Sequence, residues 1–283
     1  MSAADALFSE AVSAIDRGSV DDLERLIAQR PSLVRDRLEE PGAWLRDKVG
    51  TALDGFFARP YLLWFVAEDP VRNGTLPGNI ADVAATIVRA IGREAMDGSQ
   101  EQIDYALRLV AWSWIARDCG VQIALLDVLL DAGAAADGRP EDALVNGNVA
   151  AAGHLVERGA RLTLATALCL GRWNDAARLG ATASAQDKQF ALTMCALRGK
   201  PEALAQVIGL GVDLGTPSPD LYSHATALHH AVHSGSLETV KVLVEAGAPL
   251  DVKDSAYGGT PLGWADYGNH EDIASYLRER ITS

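Results

Sequence analysis

Four of the six histidines fall within ten residues: His224, His229, His230 and His233. On a helix, His229 and His233 stand one turn apart on one face, which is the spacing of a two-histidine metal pair. A metal centre needs a third ligand, and no HExxH, CxxC or carboxylate at a fixed offset supplies it. The cluster is therefore assigned no metal, and the chain no cofactor. GxSxG, GxxxxGK[ST] and GxGxxG are also absent, and the scattered Asp and Glu are what any acidic helical surface carries. No catalytic residue is legible. A missing motif does not exclude an activity, but the pattern favours a non-enzymatic protein.

The histidines sit at the start of a stretch, HATALHHAVHSGSLETVKVLVEAGAPLD, running from His224 to Asp251. It reads as a short helix, a turn at Ser234-Gly235, an amphipathic helix with Val240, Leu243 and Val244 on one face, and a stop at Gly247. Thirty-four residues after Thr226-Ala227-Leu228-His229-His230-Ala231 comes a second version, Thr260-Pro261-Leu262-Gly263-Trp264-Ala265. A glycine ruler extends the pattern backwards: Gly147 to Gly159, Gly199 to Gly211 and Gly235 to Gly247 are each 12 apart, and Gly120 to Gly133 is 13. Asn269 occupies a turn position that glycine holds elsewhere, as its tolerance of left-handed backbone allows.

These segments closely resemble ankyrin repeats, whose pattern is a TPLHxA opening, a helix, a glycine turn, a second helix and a GAxxxxxD ending, with a period of about 33. The resemblance implies an all-α, ankyrin-like helical repeat solenoid of about seven or eight helix-turn-helix units along residues 1–283. Residues 1–101 are expected to form degenerate units with long loops, and residues 102–195 short units poor in hairpins. Regular repeats and a C-terminal cap follow over 196–283. It further implies structural roles for His229, Gly235 and Gly247, with His229 tying adjacent hairpin loops together. His233 takes a groove-facing position, and counting along the units puts Arg198, Asp118 and Tyr267 at or beside its equivalents. The function implied is recognition of a protein partner on a concave helical surface.

The N-terminal half fits the pattern least. Arg59-Pro60-Tyr61-Leu62-Leu63-Trp64-Phe65-Val66-Ala67 stands where a TPLHxA helix belongs, and a long loop, Glu68 to Gly78, precedes the next helix. Loops of that length are often functional or mobile. Gln102 to Arg117 reads as one long helix with Ile103, Leu107, Val110 and Trp114 on its apolar stripe. Most aromatics, including Trp114, Trp173 and Trp264, are expected in the core. Trp64 and Trp112, with Arg59, Tyr61, Arg72, Arg117 and Asp118, define the alternative: a small-molecule pocket or enzyme site in this half.

Hydrophobic residues make up 48% and charged residues 22% of the chain, enough to build a core. The net charge of −13 disfavours nucleic acid and anionic membrane surfaces and suits a basic protein partner. Cys119, Cys169 and Cys195 form no CxxC and read as core residues in a reducing compartment. The acidic N-terminal stretch differs from a secretory signal, and no apolar run reaches the roughly 18 residues of a membrane span. A cytoplasmic location is expected.

Overall fold

The computed structural model describes residues 3–94 and 98–282, and all regular structure among them is helical. The chain divides into two compact units, Met1–Arg161 and Leu162–Ser283. The first contains α1 (Ala3–Arg17), α2 (Val20–Gln29), α3 (Ser32–Arg35), α4 (Ala43–Val49), α5 (Ile80–Glu94), α6 (Ser99–Trp112), α7 (Trp114–Asp118), α8 (Gln122–Asp131), α9 (Arg139–Val145) and α10 (Val149–Glu157). The second contains α11 (Leu164–Cys169), α12 (Trp173–Gly180), α13 (Ala185–Leu197), α14 (Pro201–Ile208), α15 (Ala227–His233), α16 (Leu237–Glu245), α17 (Pro261–Tyr267) and α18 (Glu271–Thr282). Every glycine of the ruler has positive φ, and Asn269 joins them at +56°. The repeat spacing thus marks real helix-to-helix turns.

In the second unit, consecutive helices pack as pairs and first helices pack against the first helices of neighbouring pairs, α11 on α13, α13 on α15 and α15 on α17. Of the apolar stripe read from the sequence, Val240 and Leu243 are fully buried and Val244 is half-buried, and in the last pair Ile273 and Leu277 are fully buried as well. Loops rather than strands join the pairs. Gln189 holds the loop after α14 by donating from Nε2 to the carbonyls of Asp213 and Thr216, at 3.0 and 2.5 Å.

The first unit departs from the regular pattern in three places. Leu62–Ala67 is a 3-10 helix with all six side chains buried, not an α-helix opened by Pro60. The long loop that follows is clamped. Glu68, fully buried, accepts from the backbone N–H groups of Arg72, Asn73 and Gly74. The Arg72 side chain, 3% exposed, bridges Glu68 and Asp16 and donates to the carbonyl of Phe65, each at 2.9 Å. Charges taken out of water this far are tolerated because each is paired and hydrogen-bonded.

The third departure lies at Ser113, where the expected helix from Gln102 to Arg117 breaks. Ser113 has extended ψ, ends α6, and caps α7 by accepting from the Ala116 N–H at 3.0 Å. Carbonyls freed at the break are satisfied from a distance. Gln122 Nε2 donates to Val110, Ala111 and Ser113, and Asn148 Nδ2 donates to Ala111 and Ser113. The break resets the helical phase, so Ile115 and Ala116 turn inward and Trp114, expected in the core, is 47% exposed. Trp173 is a second correction at 44% exposure: it shares a stripe with buried Ala176 and Gly180 but is the first residue of α12, where that stripe reaches solvent.

Candidate functional site: an aromatic groove in the second unit

The site begins with one carboxylate. Asp254, 3% exposed, accepts at Oδ1 from the N–H groups of Ala256 and Tyr257 and at Oδ2 from the N–H of Gly259 and the indole Nε1 of Trp264, at 2.7–2.9 Å. Its own N–H donates to the Gly259 carbonyl at 2.8 Å, closing a loop of six residues. Burial disfavours the charge, but the Trp264 indole and the three backbone N–H groups outweigh it and pull the carboxyl down to about 2. Ser255 N–H donates to the His224 carbonyl at 2.8 Å, joining this loop to the preceding repeat. The frame presents Tyr257 at its tip, 88% exposed.

His229 makes the second tie. Its Nδ1 accepts from the Thr226 N–H at 3.3 Å and lies 2.8 Å from the Thr226 hydroxyl. An accepting Nδ1 leaves the proton on Nε2, which donates to the Gly259 carbonyl at 3.1 Å. The ring is fully buried, and burial lowers its affinity for a second proton. Trp264 is the hub of the neighbouring rings, with centroids of His229, His224, His230 and His233 at 5.1, 6.1, 6.2 and 6.4 Å. Burial pushes His230 down to about 4. Among the described residues no group of three or more His, Cys, Asp or Glu is arranged to hold a metal ion.

Beside this frame runs a groove of about 780 Å³, lined by His233, Tyr257, Gly259, Gly263, Trp264, Tyr267, Gly268 and His270. His270 fits because two neighbours lack side chains: a Cβ on Gly268 would lie 2.8 Å from its ring, and one on Gly235 would lie 3.2 Å away. Tyr267, at the C-terminus of α17, is 91% exposed. Two residues of the expected recognition strip, His233 and Tyr267, therefore meet in one groove. Arg198 is half-buried, its guanidinium charge disfavoured by burial, and does not line this groove. Asp118 lies in the first unit, exposed and paired with Arg117 at 2.9 Å. Gly235 and Gly247 adopt the left-handed turns, at φ +70° and +91°.

The residues of the alternative pocket are distributed differently from that expectation. Arg59 extends into solvent beside Glu39, at 3.5 Å. Tyr61 and Trp64 are buried edge to face, with centroids 5.5 Å apart, and Trp64 donates to the Gln102 carbonyl at 3.1 Å. Arg72 is consumed by its buried ion pairs. Trp112 is half-buried beneath Arg108, whose guanidinium carbon stands 4.6 Å from the ring centroid. Arg117 bonds Asp118, the Asn148 side chain and the Asn146 carbonyl. Tyr61 and Trp64 thus meet each other, while Arg59, Arg72, Trp112 and Arg117 are engaged in separate contacts.

Sequence reasoning missed Tyr257 and His270 and assigned Trp264 only to the core. The available signal was Asp254-Ser255-Ala256-Tyr257-Gly258-Gly259, in which an acid with turn residues frames an aromatic that no helical stripe can bury.

A family model for ankyrin repeats (3 copies) matches residues 183–282, the part of the chain that contains this groove. Cyclin-dependent kinase 4 inhibitor B of Bos taurus is 31% identical over 117 residues, an alignment covering 31% of this chain and 88% of the relative. Protein phosphatase 1 regulatory subunit 27 of Homo sapiens is 48% identical over 66 residues, 23% of this chain and 40% of the relative. Cyclin-dependent kinase inhibitor 2A of Monodelphis domestica is 34% identical over 85 residues, 30% of this chain and 48% of the relative. The chain belongs to the ankyrin-repeat family. Several relatives are matched over less than half their length, as the 48% and 40% figures show. Among the described residues no helix is long and apolar enough to cross a membrane.

Proposed function

We propose that this chain is a non-enzymatic protein-binding module that receives a segment of its partner in the groove between the 254–259 loop and α17. The carrying observation is the exposure of Tyr257 and Tyr267, at 88% and 91%, beside a frame already fixed by the Asp254 and His229 hydrogen bonds. Large aromatic side chains are enriched among residues that carry binding energy, and a fixed frame loses little freedom when a partner arrives. Relatives named as kinase inhibitors and as a phosphatase regulatory subunit support a protein as the partner. The net charge of −13 favours a basic one. The three free cysteines suit a reducing, cytoplasmic setting.

The test is affinity capture from the native host with wild type and a Tyr257→Ala/Tyr267→Ala double variant in parallel. A specific protein held by the wild type and released by the variant is the expected result. Capture that is indifferent to both tyrosines would move the interface elsewhere on the chain.

A further inference from the structure

The protein covers several of its other aromatic faces with its own arginines. Arg37 lies over Tyr61 and Trp64 at 4.2 and 5.3 Å, Arg72 over Phe65 at 5.2 Å, Arg108 over Trp112 at 4.6 Å and Arg280 over Tyr276 at 5.1 Å. Among the described residues no such cation stands over Tyr257, Trp264 or Tyr267, although all three line one groove. We infer that the groove seats a lysine or arginine side chain of the partner against the faces of Tyr257, Trp264 and Tyr267. This rests on the protein-binding reading above and adds the chemistry of the contact.

Charge complementarity selects this occupant. Among the described residues no lysine, arginine, aspartate or glutamate lines the groove, and the charge built into its frame is the Asp254 carboxylate behind the Trp264 indole. A carboxylate accepting the indole N–H pushes electron density into the ring and deepens the negative potential on its face, where a cation binds. The same buried anion, with the net charge of −13, repels a phosphate or carboxylate arriving there. The groove volume of about 780 Å³ lies within the range of pockets that enclose a drug-sized ligand, so it accommodates the flanking backbone together with the side chain. Tyr257 and Tyr267, on opposite sides of Trp264 in sequence, are free to close over an entering methylene stem because their own side chains are almost wholly in solvent.

The experiment uses the full chain and a displayed library of random twelve-residue peptides. Selected peptides are resynthesised with each lysine replaced by norleucine or each arginine by citrulline, and binding is measured to wild type, Tyr257→Ala and Tyr267→Ala. The expected result is enrichment of Lys or Arg at one position, with neutralisation there weakening binding roughly 2- to 30-fold. Part of that penalty should vanish in each of the Tyr257→Ala and Tyr267→Ala backgrounds, since the cation has lost one of its three aromatic partners there. Peptides that depend on Tyr257 and Tyr267 but tolerate norleucine or citrulline would overturn the cation seat and leave the protein-binding groove standing. Peptides indifferent to both tyrosines would remove the groove itself.

Discussion

Trp264 donates its indole N–H to Asp254 Oδ2 at 2.9 Å, and the same carboxylate gathers three backbone N–H groups of the loop that carries Tyr257. One side chain thereby sets both the wall and the rim of the groove. Asp254→Asn replaces one accepting oxygen with an NH2 group facing donors and removes the charge from the remaining bonds. The expected loss is about 1.5–3 kcal/mol, the scale of a hydrogen bond to a charged group. Denaturant unfolding measures it, and proteolysis within residues 254–259 should accelerate in parallel.

His229 and His233 stand one turn apart and should behave oppositely. His229→Ala removes the bond to the Gly259 carbonyl and leaves a buried hole, so a loss of about 1–3 kcal/mol is expected. His233 is exposed, and His233→Ala should change stability by no more than about 0.5 kcal/mol while weakening partner capture. Thermal and denaturant unfolding of the two variants decides the order.

His230 gives the fold a defined acid sensitivity. Burial, reinforced by its histidine neighbours, lowers its folded value from 6.5 to about 4. Between those limits the unfolded chain binds a proton that the folded chain refuses, so stability falls as pH drops from about 6.5 to about 4 and this contribution levels off below. The ring is 2% exposed, and His230→Leu removes the titrating group with a side chain of similar size, giving up the ring's contact with the Tyr222 backbone. Comparing unfolding at pH 7.5 and 4.5, the variant should lose about 2–3 kcal/mol less than wild type.

Arg72→Ala tests the clamp on the long loop. It would leave the buried Glu68 carboxylate without its counter-charge, at a cost of about 3–5 kcal/mol. Urea unfolding reads the loss. Arg59→Ala, at an exposed pair in the same unit, should cost less than about 1 kcal/mol.

The family and its helical turns were legible because they depend on local chemistry: the Thr-Pro-Leu opening, the glycine ruler and the stripe of Val240 and Leu243 each signal within a few residues. What escaped depends on distance. Nothing in residues 102–117 announces that Gln122 and Asn148 will supply the carbonyl partners that let a helix break at Ser113, so an unbroken phase placed Trp114 inside. The groove was half legible. His233 and Tyr267 follow from register within a repeat, whereas Tyr257 depends on how an acid ten residues before Trp264 folds the loop around itself.

The two glycines of the His224–Asp251 stretch face different constraints under mutational drift. At Gly247 nothing among the described residues lies within 4 Å of where a side chain would begin, so handedness alone bars other residues. Asparagine, already accepted at φ +56° by Asn269, is the natural replacement there. At Gly235 the same handedness is joined by the His270 ring 3.2 Å away, so a substitution must also displace a wall of the groove. Over many generations Gly247 is open to asparagine, while Gly235 changes only in lineages whose recognition surface changes with it.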